Sequence, residues 1–357
     1  MKSEKSLRVS INSFDAIKGL GMLCIVMYHM AFHYPFEELA LPLQYFLRLL
    51  ALASGAMPLF FMVSGYGFRP KPVKKFLLNS FQGLLKPYFI VVAVFSVLYP
   101  VLFRLWWGEW AYGFYETKRF LIAFLLGIPK PGKELFGLSL HHCSAMWFFL
   151  TSFIASNLLN LIVKIKPEKL QLPAVLLLSL AGYVMLLRDF NFYCMGQGFA
   201  AVGYFYLGML MKKYDLIRRG IGSAVTYTVL VPASLLFVVF GGMDLCQGYF
   251  RNGFIDLAGA AFVSALLMYF GVWLNQRENK IVSALSVIGS YTYWIICIHV
   301  VENDCMQWFA YSAAVSRTNL AFLGELAGKA LIITAACVLL NKLAQLKYRR
   351  RFLTHEK

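Results

Sequence analysis

Two of the six histidines in this chain, His29 and His299, stand inside long apolar runs. An imidazole titrates near neutral pH, so it can take a proton from a hydroxyl or return one. Ionisable side chains are costly in hydrocarbon and need a partner or a task there. His29 follows Lys18 by eleven residues, a rise of roughly 16 Å if the segment is helical. With Lys18 at one membrane interface, His29 lies at or above the midplane. His299 falls near the end of a late apolar run at a comparable depth, and two histidines at one depth can face a common polar cavity. Packing or hydrogen bonding is the commoner duty of a histidine in a helix, so both roles stand open on spacing alone. Glu325 and Lys329 are spaced i, i+4 and are expected to pair with each other. Ser64, before Gly65, either shapes a tight helix end or offers a hydroxyl. His141, His142 and Cys143 lack the spacing of a zinc site, and no metal site is predicted. Trp106, Trp107, Trp110 and Tyr112 suit either stacking on sugar rings or an interfacial aromatic belt.

The elements that must hold these residues are set by composition. The 357 residues are 60% hydrophobic and only 14% charged, with a mean hydropathy of +0.64. Soluble domains carry about a quarter charged residues, so a water-soluble globule, a disordered chain and a collagen-like fibre are excluded. A bilayer core asks for about 20 apolar residues per helix. Ten such segments are predicted, at 14–32, 45–68, 84–103, 145–164, 172–187, 196–211, 221–240, 254–274, 284–303 and 321–341. The fold class read from this is all-α, a polytopic membrane protein of about ten transmembrane helices.

Charge then orients the bundle. Lys and Arg number 34 against 17 Asp and Glu, a net +17. One set of alternate connections gathers most of the cations: Lys2, Lys5, Arg8 and Lys18; Arg69, Lys71, Lys74, Lys75 and Lys86; Lys164, Lys166 and Lys169; Lys212, Lys213, Arg218 and Arg219; Arg277 and Lys280; and Lys342, Lys347, Arg349 to Arg351 and Lys357. By the positive-inside rule both termini are expected to be cytoplasmic. The excess charge then faces anionic lipid, and no nucleic-acid partner is called for. The expected parse is a single integral domain over 1–357, with a helical core at 10–345, a long outer loop at 104–144 rich in aromatics, and a basic cytoplasmic tail at 346–357. Within that loop, the apolar run 120–128 is too short to span. It is expected to lie along the interface or dip into the protein. No cleavable signal peptide is expected. Of the seven cysteines, Cys24, Cys297 and Cys337 fall within spans, whereas Cys143, Cys194, Cys246 and Cys305 fall at outer helix ends. The outer four admit up to two disulfides or buried free thiols.

Several patches, in order, resemble one family. Phe14-Asp15-Ala16-Ile17-Lys18-Gly19 running to Tyr28-His29 is similar to a basic residue, a ten-residue gap and a histidine, with Lys18 where arginine is more usual. Phe60 to Tyr66 resembles an FF-x-x-SG-aromatic turn. Leu84-Leu85-Lys86-Pro87-Tyr88, Met146 to Leu150 around Trp147, Phe205 to Met209 before Lys212, and Ile288 to Tyr293 running to His299 complete the series. Together they resemble the acyltransferase 3 family, integral-membrane O-acetylases of surface polysaccharides and related glycans.

That resemblance implies transfer of an acyl group, usually acetyl, from acyl-CoA to a sugar hydroxyl. Acetyl-CoA would be a co-substrate, with no tightly bound cofactor. The acceptor would be a glycan or lipid-linked sugar, and the location a multi-pass one, in the bacterial cytoplasmic (inner) membrane. His29 is the expected general base and His299 its support. Lys18, Lys74, Lys75, Lys86 and Ser64 are expected near the CoA moiety, and Trp106, Trp110 and Trp147 near the acceptor. Paired arginines that the family often places before the third helix are replaced here by 79–83, Asn-Ser-Phe-Gln-Gly. The rival reading is a non-enzymatic carrier or exporter of a polysaccharide or its lipid-linked precursor. Carriers favour repeated halves, and none is visible in this sequence.

Overall fold

The computed structural model describes residues 9–31, 33–34, 40, 42–45, 57–190, 192–277, 279–315 and 319–355, with side chains of the last helix described to Lys342. The expected features at 1–8 and 46–56, including Lys2, Lys5, Arg8 and about half of the second span, lie outside the described residues. So do the side chains of the basic tail.

The chain is an all-α polytopic membrane protein. A short 3-10 turn leads into α1 (Asp15–Ala31), followed by α2 (Met57–Tyr66). Helix α3 (Val73–Ser80) passes through a π-helical segment, Phe81–Leu85, into α4 (Lys86–Trp107), and α5 (Trp110–Leu126) folds back on it. Then come a two-residue hairpin, β1 (Glu134–Leu135) with β2 (Leu138–Ser139), and α6 (Trp147–Ile162), α7 (Gln171–Leu187) and α8 (Met195–Lys213). The short α9 (Leu216–Gly220) precedes α10 (Ala224–Phe240), a second hairpin of β3 (Met243–Asp244) and β4 (Tyr249–Phe250), and α11 (Ile255–Asn275). The last four helices are α12 (Lys280–Ser290), α13 (Thr292–Cys305), α14 (Trp308–Ala314) and α15 (Asn319–His355).

All ten expected segments coincide with helices among the described residues. Six helical stretches are long and apolar enough to cross a bilayer alone, and a seventh if α12 and α13 count as one span. Those two helices are bent by 71° at Tyr291. Helices α2 and α10 are apolar but shorter, with 10 and 17 residues. The expected loop at 104–144 is a correction, because 17 of its residues form α5. Gly108 and Gly127, both left-handed, close its two ends. Phe120 and Phe124 pack on Phe95 of α4, with ring centroids 5.1 and 5.2 Å away. The apolar run is thus the buried stripe of an amphipathic helix. All seven cysteines are free thiols, and Cys194 Sγ lies 3.2 Å from the carbonyl of Gly127.

Two pairs of glycines let helices touch backbone to backbone. A Cβ on Gly19 would collide with the carbonyl of Leu285, and one on Gly289 with the carbonyl of Asp15. Gly65 and Gly208 stand in the same relation to Phe205 and Met62. Small residues bring helix backbones together in membranes because dispersion there acts without a hydrophobic drive. Gly19→Leu and Gly289→Val are expected to lower stability in detergent by about 1–3 kcal/mol, the range for overpacked contacts. Gly83→Ala, whose Cβ meets nothing within 4 Å, is expected to be neutral. Thermal unfolding of the three purified variants checks the ordering.

Candidate functional site

Three helices converge on one polar chain inside this apolar bundle. Helix α1 carries His29, α13 carries His299 and Glu302 at i, i+3 on one face, and α15 carries Glu325 and Lys329 at i, i+4. His29 Nδ1 lies 2.8 Å from His299 Nε2, with the rings nearly coplanar. His299 Nδ1 lies 2.7 Å from Glu302 Oε1. Glu302 also accepts from Trp308 Nε1–H at 2.8 Å and from Lys329 Nζ at 3.2 Å to each oxygen. Lys329 is fully buried and donates to Asn303 Oδ1 at 2.9 Å, with Glu325 Oε1 at 3.5 Å. Glu325 in turn meets His33 Nδ1 at 2.7 Å. The expected Glu325–Lys329 pair is therefore present as part of a larger network.

The hydrogen bonds assign the protons. A carboxylate only accepts, so His299 Nδ1 carries its hydrogen toward Glu302. In the tautomer that this contact fits, His299 Nε2 accepts from His29 Nδ1–H. His29 is left with its own Nε2 lone pair, and no described residue bonds to it. A base oriented through a second group in this way is the arrangement used to activate hydroxyl nucleophiles. Glu302 lies inside the predicted segment 284–303 but was not among the expected site residues. The signal that would have found it is the i, i+3 step from His299.

A groove of about 580 Å³ leads to this chain. Its walls are Met22, Leu23, Val26 and Met27 of α1, Val287 and Ile288 of α12, Tyr291, Ile295 of α13, and α15 from Leu326 to Asn341. Neither histidine lines it, but His29 follows Val26 by three residues on α1 and the buried His299 follows Ile295 by four on α13. Lys329 lines it directly. Thr334 and Asn341 are the polar groups along α15.

The other expected site residues are placed as follows. Lys18 is one turn from Met22 on the same face and pairs with Asp15 at 2.6 Å. Lys74, Lys75 and Lys86 are exposed on α3 and α4 and do not line the groove. Ser64 donates to the carbonyl of Phe60 at 2.7 Å. Trp106 and Trp110 are exposed. Trp147 is buried, edge-on to Phe61 at 6.2 Å, and so faces the core. Near α5, Glu116 binds Arg119 at 2.8 and 3.0 Å and also binds His141, whose ring stacks on Phe120 at 3.8 Å. Burial depresses the basicity of the His141 imidazole, against the pull of Glu116. His142 Nδ1 accepts from the amide of Ser144 at 2.9 Å.

Removing one partner of a buried ion pair costs about 3–5 kcal/mol because the other is left uncompensated. Glu302→Gln is therefore expected to lose stability on that scale, and adding Lys329→Met is expected to recover most of it. Unfolding midpoints of the two variants measure this, and a double variant no more stable than the single one contradicts it.

No curated protein and no solved structure matches the chain. A family model described as an acyltransferase domain matches residues 11–342. That match takes in α1 with His29, α13 with His299 and Glu302, and α15 as far as Lys342, nearly the whole chain, and the protein belongs to the acyltransferase 3 family.

Proposed function

We propose that this membrane acyltransferase moves acetyl from acetyl-CoA to a hydroxyl of a surface glycan or lipid-linked sugar, with His29 as the general base. The observation that supports this most is the chain His29–His299–Glu302, which leaves His29 Nε2 without a partner among the described residues. The acceptor hydroxyl attacks the thioester carbonyl while His29 Nε2 takes its proton. The tetrahedral intermediate collapses, the C–S bond breaks, and the departing thiolate recovers the proton from the imidazolium. Charge on the imidazole pair is balanced by Glu302 through His299. No acyl-enzyme on Ser or Cys is needed. His299 and Glu302 position the base and fix its tautomer. The whole chain acts as one integral domain, both termini cytoplasmic, in a bacterial inner membrane, with the donor entering from the cytoplasm along the groove. Lys18, one turn before Met22 on α1, is held by Asp15.

A general base is worth about 10²–10⁴ in rate. His29→Ala is expected to lose that factor in acetyl-CoA-dependent transfer, measured as CoA thiol release, while keeping its unfolding midpoint. A folded His29→Ala protein with full activity overturns the assignment. His299→Ala and Glu302→Gln are expected to lower kcat with the KM for acetyl-CoA nearly unchanged, because neither contacts the donor. A rise in KM alone would place them in donor binding instead.

A further inference from the structure

The groove has a polar neighbour at the end where α1 begins. Val287 of α12 lines both the groove and a second hollow, of about 820 Å³. Asn275, Arg277, Asn279, Lys280, Ser283 and Ser286 line that hollow. Ser286 Oγ lies 3.2 Å from Asn275 Oδ1, which ties α12 to the end of α11. The Arg277 guanidinium lies 4.6 Å over the Trp273 ring. Among the described residues neither Arg277 nor Lys280 has an acidic partner. Lys18, Lys213 and Arg218 are paired, with Asp15, Glu168 and Asp215, whereas Lys74, Lys75 and Lys86 likewise have no acidic partner among the described residues but do not adjoin the groove. Two cations, with Glu278 between them in sequence, and a row of hydroxyl and amide groups suit phosphate oxygens. The apolar groove next to them suits an attached chain.

Lengths agree as well. From Asn341 to Lys329, α15 rises roughly 18 Å. A pantetheine arm has about thirteen bonds from its phosphate to its sulfur, roughly 16 Å when extended. Tyr291, Thr334 and Asn341 offer hydrogen bonds to its hydroxyl and amides along the way. We propose that the Arg277–Lys280 hollow seats the phosphates of a CoA thioester, whose pantetheine arm passes Val287 and carries the acyl group up the groove to His29. This rests on the acyl-CoA reading given above. It moves the phosphate grip away from Lys74, Lys75 and Lys86.

The test is binding by the purified full-length protein in detergent, read by calorimetry, with acetyl-CoA and with S-acetyl-pantetheine, which lacks the nucleotide and its phosphates. Arg277→Ala/Lys280→Ala is expected to raise the Kd for acetyl-CoA tenfold or more and to flatten its salt dependence, leaving S-acetyl-pantetheine within twofold of wild type. Lys74→Ala/Lys75→Ala/Lys86→Ala is expected to stay within threefold for both ligands. Thr334→Phe, which fills the groove, is expected to weaken both. Equal acetyl-CoA binding by wild type and the double variant, or a loss confined to the triple-lysine variant, overturns this site while the donor reading stands. An equal loss of both ligands in the double variant also overturns it. Phosphatidylglycerol competing with acetyl-CoA, with its own binding lost in the double variant, assigns the hollow to lipid and overturns it. Absence of acetyl-CoA binding to folded wild-type protein overturns the donor reading and this site together.

Discussion

The fully buried ammonium of Lys329 sets the terms for this end of the molecule. A charge in an apolar interior is tolerated only with partners in good geometry, and Lys329 draws them from two helices. Glu302 and Asn303 come from α13, and Glu325 from α15 itself. Each partner is held in turn: Glu302 by Trp308 and His299, Glu325 by His33. The axial registers of α1, α13 and α15 are thereby pinned to one another. A slide of α15 by one helical turn, about 5.4 Å, would strip the ammonium of its ligands. The imidazole chain inherits its geometry from this requirement, because the carboxylate that anchors Lys329 is the one that orients His299.

Below the charge cluster the constraint is steric. Gly19 and Gly289 bring α1 and α12 into backbone contact, and Gly65 and Gly208 do the same for α2 and α8. These four glycines belong to the patches that carry the family resemblance, which explains how such plain residues can be informative: each patch is half of a helix contact. The π-helical segment contributes differently. Its wider turn leaves the carbonyl of Gly83 to accept Tyr293 OH at 2.9 Å, tying the start of α4 to α13 just past the 71° bend.

What the sequence disclosed follows the range of the physics involved. Apolar runs are local, so the ten segments were legible, as were the common level of His29 and His299 and the i, i+4 relation of Glu325 to Lys329. Meetings between distant segments were not. Spacing could place the two histidines at one level but could not turn them toward each other. Glu302 was obscured because a residue near a span boundary reads as solvent-facing, although Trp308 and Lys329 bury it. Helix α5 was hidden because Glu116, Lys118 and Arg119 lower its hydropathy, although its other face packs on α4. Arg277 and Lys280 could not be told in sequence from the many cations that satisfy the charge bias.

The distribution of charge along α15 also bears on how the chain is made. This helix is synthesised last among those of the charge cluster, and it buries little of its surface against the others. Entering lipid alone, an Asp, Lys or Arg near a helix centre costs about 2.5–3.5 kcal/mol on insertion scales. Lys329 has one acid within its own helix, but its closer ligands, Glu302 and Asn303, lie on α13, already translated. Lateral release of α15 from the insertion machinery is thus coupled to capture by a preassembled bundle. The same ion pairs that hold the imidazoles in line therefore also offset the cost of carrying Lys329 on an otherwise apolar helix.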